Sequence, residues 1–302
     1  MSVQLGVDLG GTGTRVVAID RNTSVLNEET AATPAAGSPA QVVAFLRELV
    51  DTAAGSQVIG SLGIGASGPI DNAGVIQNPA TLPAFTGVDV AKELSALYGI
   101  PVPIENDAVA ACIGEAAVGA ARGYSGVLMV TLGTGVGVSM LRSGEPVRGA
   151  DGQHPEAGHL SIADVDAPCY CGRSACWEIA ASRSGLQSLV EGLQGSNGPK
   201  ITVEALLAIG RDASAGEPEA RTVFDAYGKR VAAGLADLLT IYHPEIVVLG
   251  GSAAQLFDAF SPSLFASLQG IVDCFPSPVI VPSTLGDLGG AIGAAVLGRS
   301  TR

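Results

Sequence analysis

Apolar residues along this chain recur with two periods. In "VQLGVDLGGTGTRVVAID" (residues 3–20) β-branched apolar positions flank a turn of glycine and threonine, which predicts strand, turn, strand. "GVLMVTLGTGVGVSMLR" (126–142) repeats the device. Between them the period switches back and forth. "SPAQVVAFLRELVDTA" (38–53) is helical in period, with Ser38 as N-cap and Pro39 at the first helical position. "VIGSLGIGA" (58–66) is a short buried strand, "DVAKELSALYG" (89–99) a helix closed by Gly99, "PVPIEND" (101–107) a strand ending in polar residues, and "DAVAACIGEAAVGAA" (107–121) a helix of small residues. The later half is more helical: one long amphipathic helix over 217–243, strand, glycine turn and helix over 245–260, and a small-residue helix over 285–298. Alternation of strands and helices predicts an α/β fold with its ligands at strand ends. The repeated hairpin predicts two related lobes, each opened by a turn that faces phosphate.

Composition narrows the classes. At 302 residues the chain exceeds one small core. Hydrophobic residues make up 47% and charged ones 15%, which fits large buried cores and not disorder. Sixteen basic residues against 29 acidic ones give −13, which argues against a nucleic-acid surface. Phosphate binding is not excluded, because backbone N–H groups and a metal ion can hold phosphates. No basic leader with an apolar stretch opens the sequence, and no uncharged run of about 18 residues suggests a membrane span. A cytoplasmic location is expected. Five cysteines is an odd number, so a disulfide framework is the poorer reading of them.

Candidate chemistry sits in three places. The first is a set of glycine turns. In "DLGGTGT", Gly10 and Gly11 let the backbone approach an anion, Thr12 and Thr14 offer hydroxyls, and Asp8 can orient a hydrated Mg²⁺. "TLGTGVG" offers Gly133, Thr134 and Gly135, and "VLGGS" offers Gly250 and Gly251 at a strand-to-helix junction. One such turn is only a turn; three make a nucleotide cleft the better reading. None is a P-loop or a G-x-G-x-x-G fingerprint. The second place is "IENDAV", where Asp107 reads equally as a helix N-cap or as a general base for a hydroxyl proton. The third is "CYCGRSACWE" after "PEAGH". His159, Cys169, Cys171 and Cys176 form a Cys₃His set for a closed, structural Zn²⁺ site, and such a metal fixes the nearby Glu156 and Glu178. Asn78, before a proline, reads as a turn residue or a polar contact, Trp177 as packing or a sugar platform, and His243 as a helix cap.

Taken in order, "DLGGTGT", "GPID", "ENDA", "TLGTGVG", "PEAGH", "CYCGRSACWE" and "VLGGS" resemble the ROK family of sugar kinases and repressors over nearly the whole chain. The resemblance implies an actin/hexokinase-like (ribonuclease H-like) fold of two lobes with a nucleotide and sugar cleft between them. Residues 1–118, completed by the terminal helix 289–302, would form the small lobe, and 119–288 the large lobe with the zinc knuckle. It further implies transfer of the ATP γ-phosphoryl group to a hexose 6-hydroxyl with Mg²⁺. Asp107 would be the base, and Asn78, Asn106, Glu156, His159 and Glu178 would bind the sugar. His159 would serve zinc with one ring nitrogen and sugar with the other. A homodimer is expected, with small-molecule hexose and nucleotide as partners and neither nucleic acid nor membrane. Family repressors carry a helix-turn-helix ahead of the first phosphate motif, and here that motif begins at Asp8. Ala175 stands where glycine is common, Ser67 where proline is frequent, and Ser184-Gly185 where many members have Ser-Gly one residue earlier. "CWE" is similar to glucokinases, "HPEAGH" and "GPID" to fructokinases. Glucose is the first expectation; fructose or an N-acetylhexosamine is the alternative.

Overall fold

The alternation seen in the sequence folds into two five-stranded sheets flanked by helices, in a computed structural model that describes residues 2–162, 166–194, 200–269 and 277–300. The elements in chain order are β1 (Ser2–Leu9), β2 (Gly13–Ile19), β3 (Val25–Ala32), α1 (Pro39–Ala54), β4 (Val58–Ala66), α2 (Val90–Tyr98), β5 (Ile104–Asn106) and α3 (Asp107–Val118). There follow β6 (Gly126–Leu132), β7 (Val136–Arg142), β8 (Glu145–Pro146), α4 (Trp177–Ala181), α5 (Arg183–Gln194), α6 (Val203–Ser214), α7 (Pro218–Tyr242), β9 (Ile246–Gly250), α8 (Phe257–Leu268), β10 (Val279–Pro282) and α9 (Gly289–Arg299).

The first sheet has the order β3-β2-β1-β4-β5, and the second runs β10-β9-β6-β7-β8. Read from β8, the second order repeats the first, strand for strand. The repeated hairpin motif is therefore the visible part of a repeated sheet. In the first sheet β1 pairs antiparallel with β2 and parallel with β4, and Asp8 lies opposite Arg15 and Gly65. The carboxyl ends of β1, β4 and β5 thus carry Asp8, Ala66 and Asn106 toward one edge.

The chain forms two compact units: residues 1–127, 139–155 and 284–302 in one, and 128–138 and 156–283 in the other. In the first unit Leu5, Leu46, Leu62, Ile64 and Phe85 are fully buried. Each such side chain contributes about 1.5–3 kcal/mol. Helix α9 lies directly on β1, β4 and α3. Its approach is so close that a methyl group on Gly6 would collide with the Ala291 carbonyl, which is why small residues dominate this helix.

Local chemistry explains the ends. Ser38 and Gln41 form a reciprocal capping box at α1, and Gly99 closes α2 with φ 64 in the left-handed region. His243 closes α7 at φ 45. β3, β8, β10, α4, α5 and α6 go beyond the elements expected from the sequence. β3 is an additional strand, mostly exposed, which forms because β2 offers it a ladder edge. After Gly251 a 3-10 turn (Ser252–Leu256) precedes α8, so the strand does not feed the helix directly. Among the described residues no helix is long and apolar enough to cross a membrane.

Candidate functional site

The first unit holds Asp8, Asn78, Asn106 and Asp107. The residue that caps α3 is Asn106: its Oδ1 accepts from Ala108 N at 2.8 Å and Val109 N at 3.4 Å. Asp107 is the first helical residue, so the cap reading of Asp107 gives way. The Asp107 Oδ2 accepts from Ser67 Oγ at 2.8 Å, and Oδ1 accepts from Ala108 N at 2.8 Å. Ser67, noted as a departure from the family pattern, is therefore the side chain that orients this carboxylate. Asn78 is closed into a turn: its amide bonds the Ser67 carbonyl at 3.0 Å and the Thr81 hydroxyl, and Thr81 N donates back to it at 3.2 Å. Thr14 is fully buried, with its hydroxyl 2.9 Å from that of Thr33, which in turn donates to the Gly10 carbonyl. It shapes the turn from within, while Thr12 and Gly11 are exposed.

Asp8 lies at the end of β1, and its carboxyl pKa is raised from 3.8 to about 7. Desolvation is the main cause, followed by the negative charge of Asp107, with Arg15 opposing. The sign follows directly. Below pH 4 the group is protonated folded or unfolded and costs nothing. Between pH 4 and 7 the unfolded chain ionises first, and above 7 the whole cost stands. Tenfold in proton affinity is worth about 1.4 kcal/mol, so the cost is on the order of a few kcal/mol. Asp8→Asn is expected to raise the melting temperature at pH 8 in Mg²⁺-free buffer and to leave it nearly unchanged at pH 4. Equal melting temperatures at pH 8 would contradict the assignment.

Beside Asn106 is a pocket of about 330 Å³ lined by Asp71, Asn72, Glu105, Asn106, Arg148 and His154. The buried Glu105 accepts from Asn106 N at 2.8 Å and from the guanidinium of Arg148, whose Nη1 also donates to the Gly152 carbonyl at 3.1 Å. Gln153 donates to the Ile70 carbonyl. Nothing in the local sequence marks Arg148 as the partner of Glu105, 43 positions away.

The second unit holds the Cys/His cluster. The ligand atoms of His159, Cys169, Cys171 and Cys176 all lie within 4.8 Å of one another. Cys169 Sγ is 3.6 Å from His159 Nδ1, and Cys171 Sγ is 3.6 Å from Cys176 Sγ. The edges of a tetrahedron with Zn–S of about 2.3 Å and Zn–N of about 2.0 Å are roughly 3.5–3.8 Å, which these two separations match, and the donor set fits Zn²⁺ in type and number. Burial pushes the Cys169 thiol up to about 12 and raises that of Cys176, so without a metal these two are held as neutral thiols. Glu178, buried, accepts from Cys169 Sγ at 3.3 Å and lies 3.5 Å from His159 Nδ1. The other His159 nitrogen, Nε2, is 3.4 Å from the hydroxyl of Tyr170, whose ring packs edge-on against the imidazole. Glu156 is exposed, one 3-10 turn before His159. Trp177 is fully buried and donates to the Arg230 carbonyl at 2.8 Å, which settles it as packing.

Ala175 has φ 59. The left-handed region costs a residue with a Cβ about 1 kcal/mol or more, and this explains why glycine suits the position. Ala175→Gly is expected to stabilise the knuckle by up to about 1 kcal/mol, read as a higher midpoint of zinc-chelator unfolding. A lower midpoint would contradict it.

The glycine turns of this unit adjoin. Gly133 N donates to the Gly135 carbonyl at 3.0 Å, and Gly251, at φ 79, lies so close to Leu132 that a Cβ would come within 2.7 Å of its backbone. Gly250, Gly251 and the Gly133–Gly135 turn with Thr134 thus form one neighbourhood. A Cβ on Gly135 would come 2.7 Å from Glu178 Oε2, so the carboxylate next to the Cys/His cluster borders this turn.

Known proteins are similar to this chain over nearly its whole length. The glucokinase of Streptomyces coelicolor is 29% identical over 99% of this chain and 98% of its own length. The N-acetyl-D-glucosamine kinase of Pectobacterium carotovorum is 33% identical over 97% of each. The crystal structure of a ROK family glucokinase from Streptomyces griseus, in complex with glucose and AMPPNP, superposes with a TM-score of 0.82 at 28% identity, over 99% of this chain and 100% of that one. The model of the ROK family matches residues 4–301, and the chain belongs to that family.

Proposed function

We propose that the protein is an ATP-dependent hexose kinase that phosphorylates the 6-hydroxyl of its sugar, with glucose as first substrate. The observation that carries this reading is the state of Asp107. Its carboxylate is not the helix cap, it is oriented by Ser67, and its charge is felt at Asp8. A carboxylate so held is suited to take a hydroxyl proton as the oxygen attacks phosphorus. The full-length likeness to hexose kinases supports the reaction class.

In this reading Asp107 removes the proton and Asn106 bonds a neighbouring hydroxyl. Glu156, His159 and Glu178 hold the remaining hydroxyls, His159 through Nε2, where the Tyr170 hydroxyl now sits. The turns at Gly10–Thr12, Gly133–Gly135 and Gly250–Gly251 offer N–H groups to donor phosphates. Asp8 would hold Mg²⁺ through water, and the ion would neutralise phosphate charge. His159, Cys169, Cys171 and Cys176 would hold Zn²⁺, a structural metal that fixes the imidazole and its neighbours.

A second reading keeps the chemistry and changes the sugar to an N-acetylhexosamine, favoured by the 33% identity to a kinase of that substrate and by the amide-lined pocket at Asn72 and Asn106. ADP release with ATP and Mg²⁺ across glucose, mannose, fructose and N-acetylhexosamines separates them. Sugar-dependent release with one of these supports the kinase. Release indifferent to every sugar, or none at all, overturns it.

A further inference from the structure

Arg183 opens α5, and its backbone N–H donates to the Gly133 carbonyl at 2.7 Å. Its guanidinium reaches two hydroxyls: Nη2 donates to Thr134 Oγ1 at 3.3 Å and Nη1 to Ser252 Oγ at 3.4 Å. These belong to the two adjoining glycine turns. The bonds are long, and both acceptors are neutral. The Arg183 Nε is buried without a hydrogen-bond partner. Among the described residues Arg183 forms no ion pair. Glu178, which borders Gly135, is engaged with Cys169 and His159 instead.

A guanidinium has five N–H donors in a planar fork and cannot lose its charge. Holding it against neutral oxygens by two long bonds leaves its charge unmatched unless an anion meets the terminal nitrogens. The neighbours suit an anion: two hydroxyls able to donate once turned outward, and glycine turns through which backbone can approach closely. A carboxylate partner would fill the site from within; among the described residues none does, which leaves the charge for a ligand.

We propose that Arg183, with Thr134 and Ser252, forms an anion subsite that binds the di- or triphosphate of the phosphoryl donor. Naming the anion as the donor's phosphates rests on the kinase reading; anion binding at Arg183 does not. Arg matches paired phosphate oxygens with its fork, which a lysine ammonium does only as a point charge.

The test is calorimetric titration of the full-length protein with ADP, pyrophosphate and tripolyphosphate, with Mg²⁺ and without sugar, on wild type, Arg183→Met and Arg183→Lys. A charge-assisted bond is worth about 1.5–3 kcal/mol, so Arg183→Met is expected to weaken ADP and pyrophosphate by about 10-fold or more. Arg183→Lys should fall between. Pyrophosphate should raise the melting temperature of wild type and not of Arg183→Met. The KM for the donor should rise about 10-fold with the sugar KM within about twofold. ADP binding tighter than tripolyphosphate marks a nucleotide donor; the reverse marks an inorganic one. A folded Arg183→Met that binds ADP and pyrophosphate like wild type overturns the proposal, as does a wild type that binds neither. If no hexose is phosphorylated yet pyrophosphate binding depends on Arg183, the kinase reading falls and the anion subsite stands.

Discussion

Asp107→Asn is expected to lower turnover by about 10²–10⁴-fold while sugar affinity changes by no more than about threefold. The split is expected because the two roles at this helix start fall on different residues. Asn106 caps α3, so changing Asp107 leaves the bonds to Ala108 and Val109 in place. Asparagine keeps the size of the side chain and an acceptor oxygen for Ser67 Oγ. It cannot accept a proton at neutral pH. Removing one negative charge also relieves Asp8, so the stability of the variant should match wild type or exceed it slightly. Asn106→Ala is the contrast: it loses a cap worth about 1 kcal/mol and is expected to weaken sugar binding as well. Stopped assays of turnover and calorimetry with sugar read both effects. Turnover of Asp107→Asn near wild type would remove Asp107 from the chemistry.

Cys171→Ser is expected to reduce zinc affinity by about 100-fold or more, and with it both thermal stability and sugar affinity. Cys171 is the exposed member of the cluster, so exchanging its sulfur for oxygen disturbs little packing. Whatever stability is lost therefore reports the metal. Sugar affinity should follow, because His159 is held through Nδ1 and Glu178 lies against both Cys169 and His159. The raised thiols of Cys169 and Cys176 add a pH dependence: metal must displace their protons, so binding weakens as pH falls. Metal content by mass spectrometry and titration with sugar check the two halves. A zinc-free variant with wild-type sugar affinity would break the coupling.

Much of this was legible in the chain because the features are local. β-Branched residues around glycine turns give β1–β2, Ser38 and Pro39 give the start of α1, and one histidine with three scarce cysteines within eighteen residues gives the Cys/His cluster. What stayed hidden depends on partners distant in sequence or on geometry finer than composition. β3 exists because β2 presents an edge, not because "VLNEETAA" alternates. Asn106 and Asp107 are both good capping residues, and only backbone geometry decides between them. Arg148 finds Glu105, and Arg183 finds Thr134 and Ser252, across 43 to 69 positions. Tyr170 stands between two cysteines in the chain, and only the fold brings its ring edge-on to His159.

In the proposed reaction phosphoryl groups pass from ATP to a sugar hydroxyl. Phosphorus NMR of the protein with ATP, Mg²⁺ and glucose, and in parallel with N-acetylglucosamine, tests it most directly. The expected result is a hexose 6-phosphate resonance growing in step with ADP, in wild type and not in Asp107→Asn. ADP with inorganic phosphate and no sugar phosphate, or no change with either sugar, would contradict it.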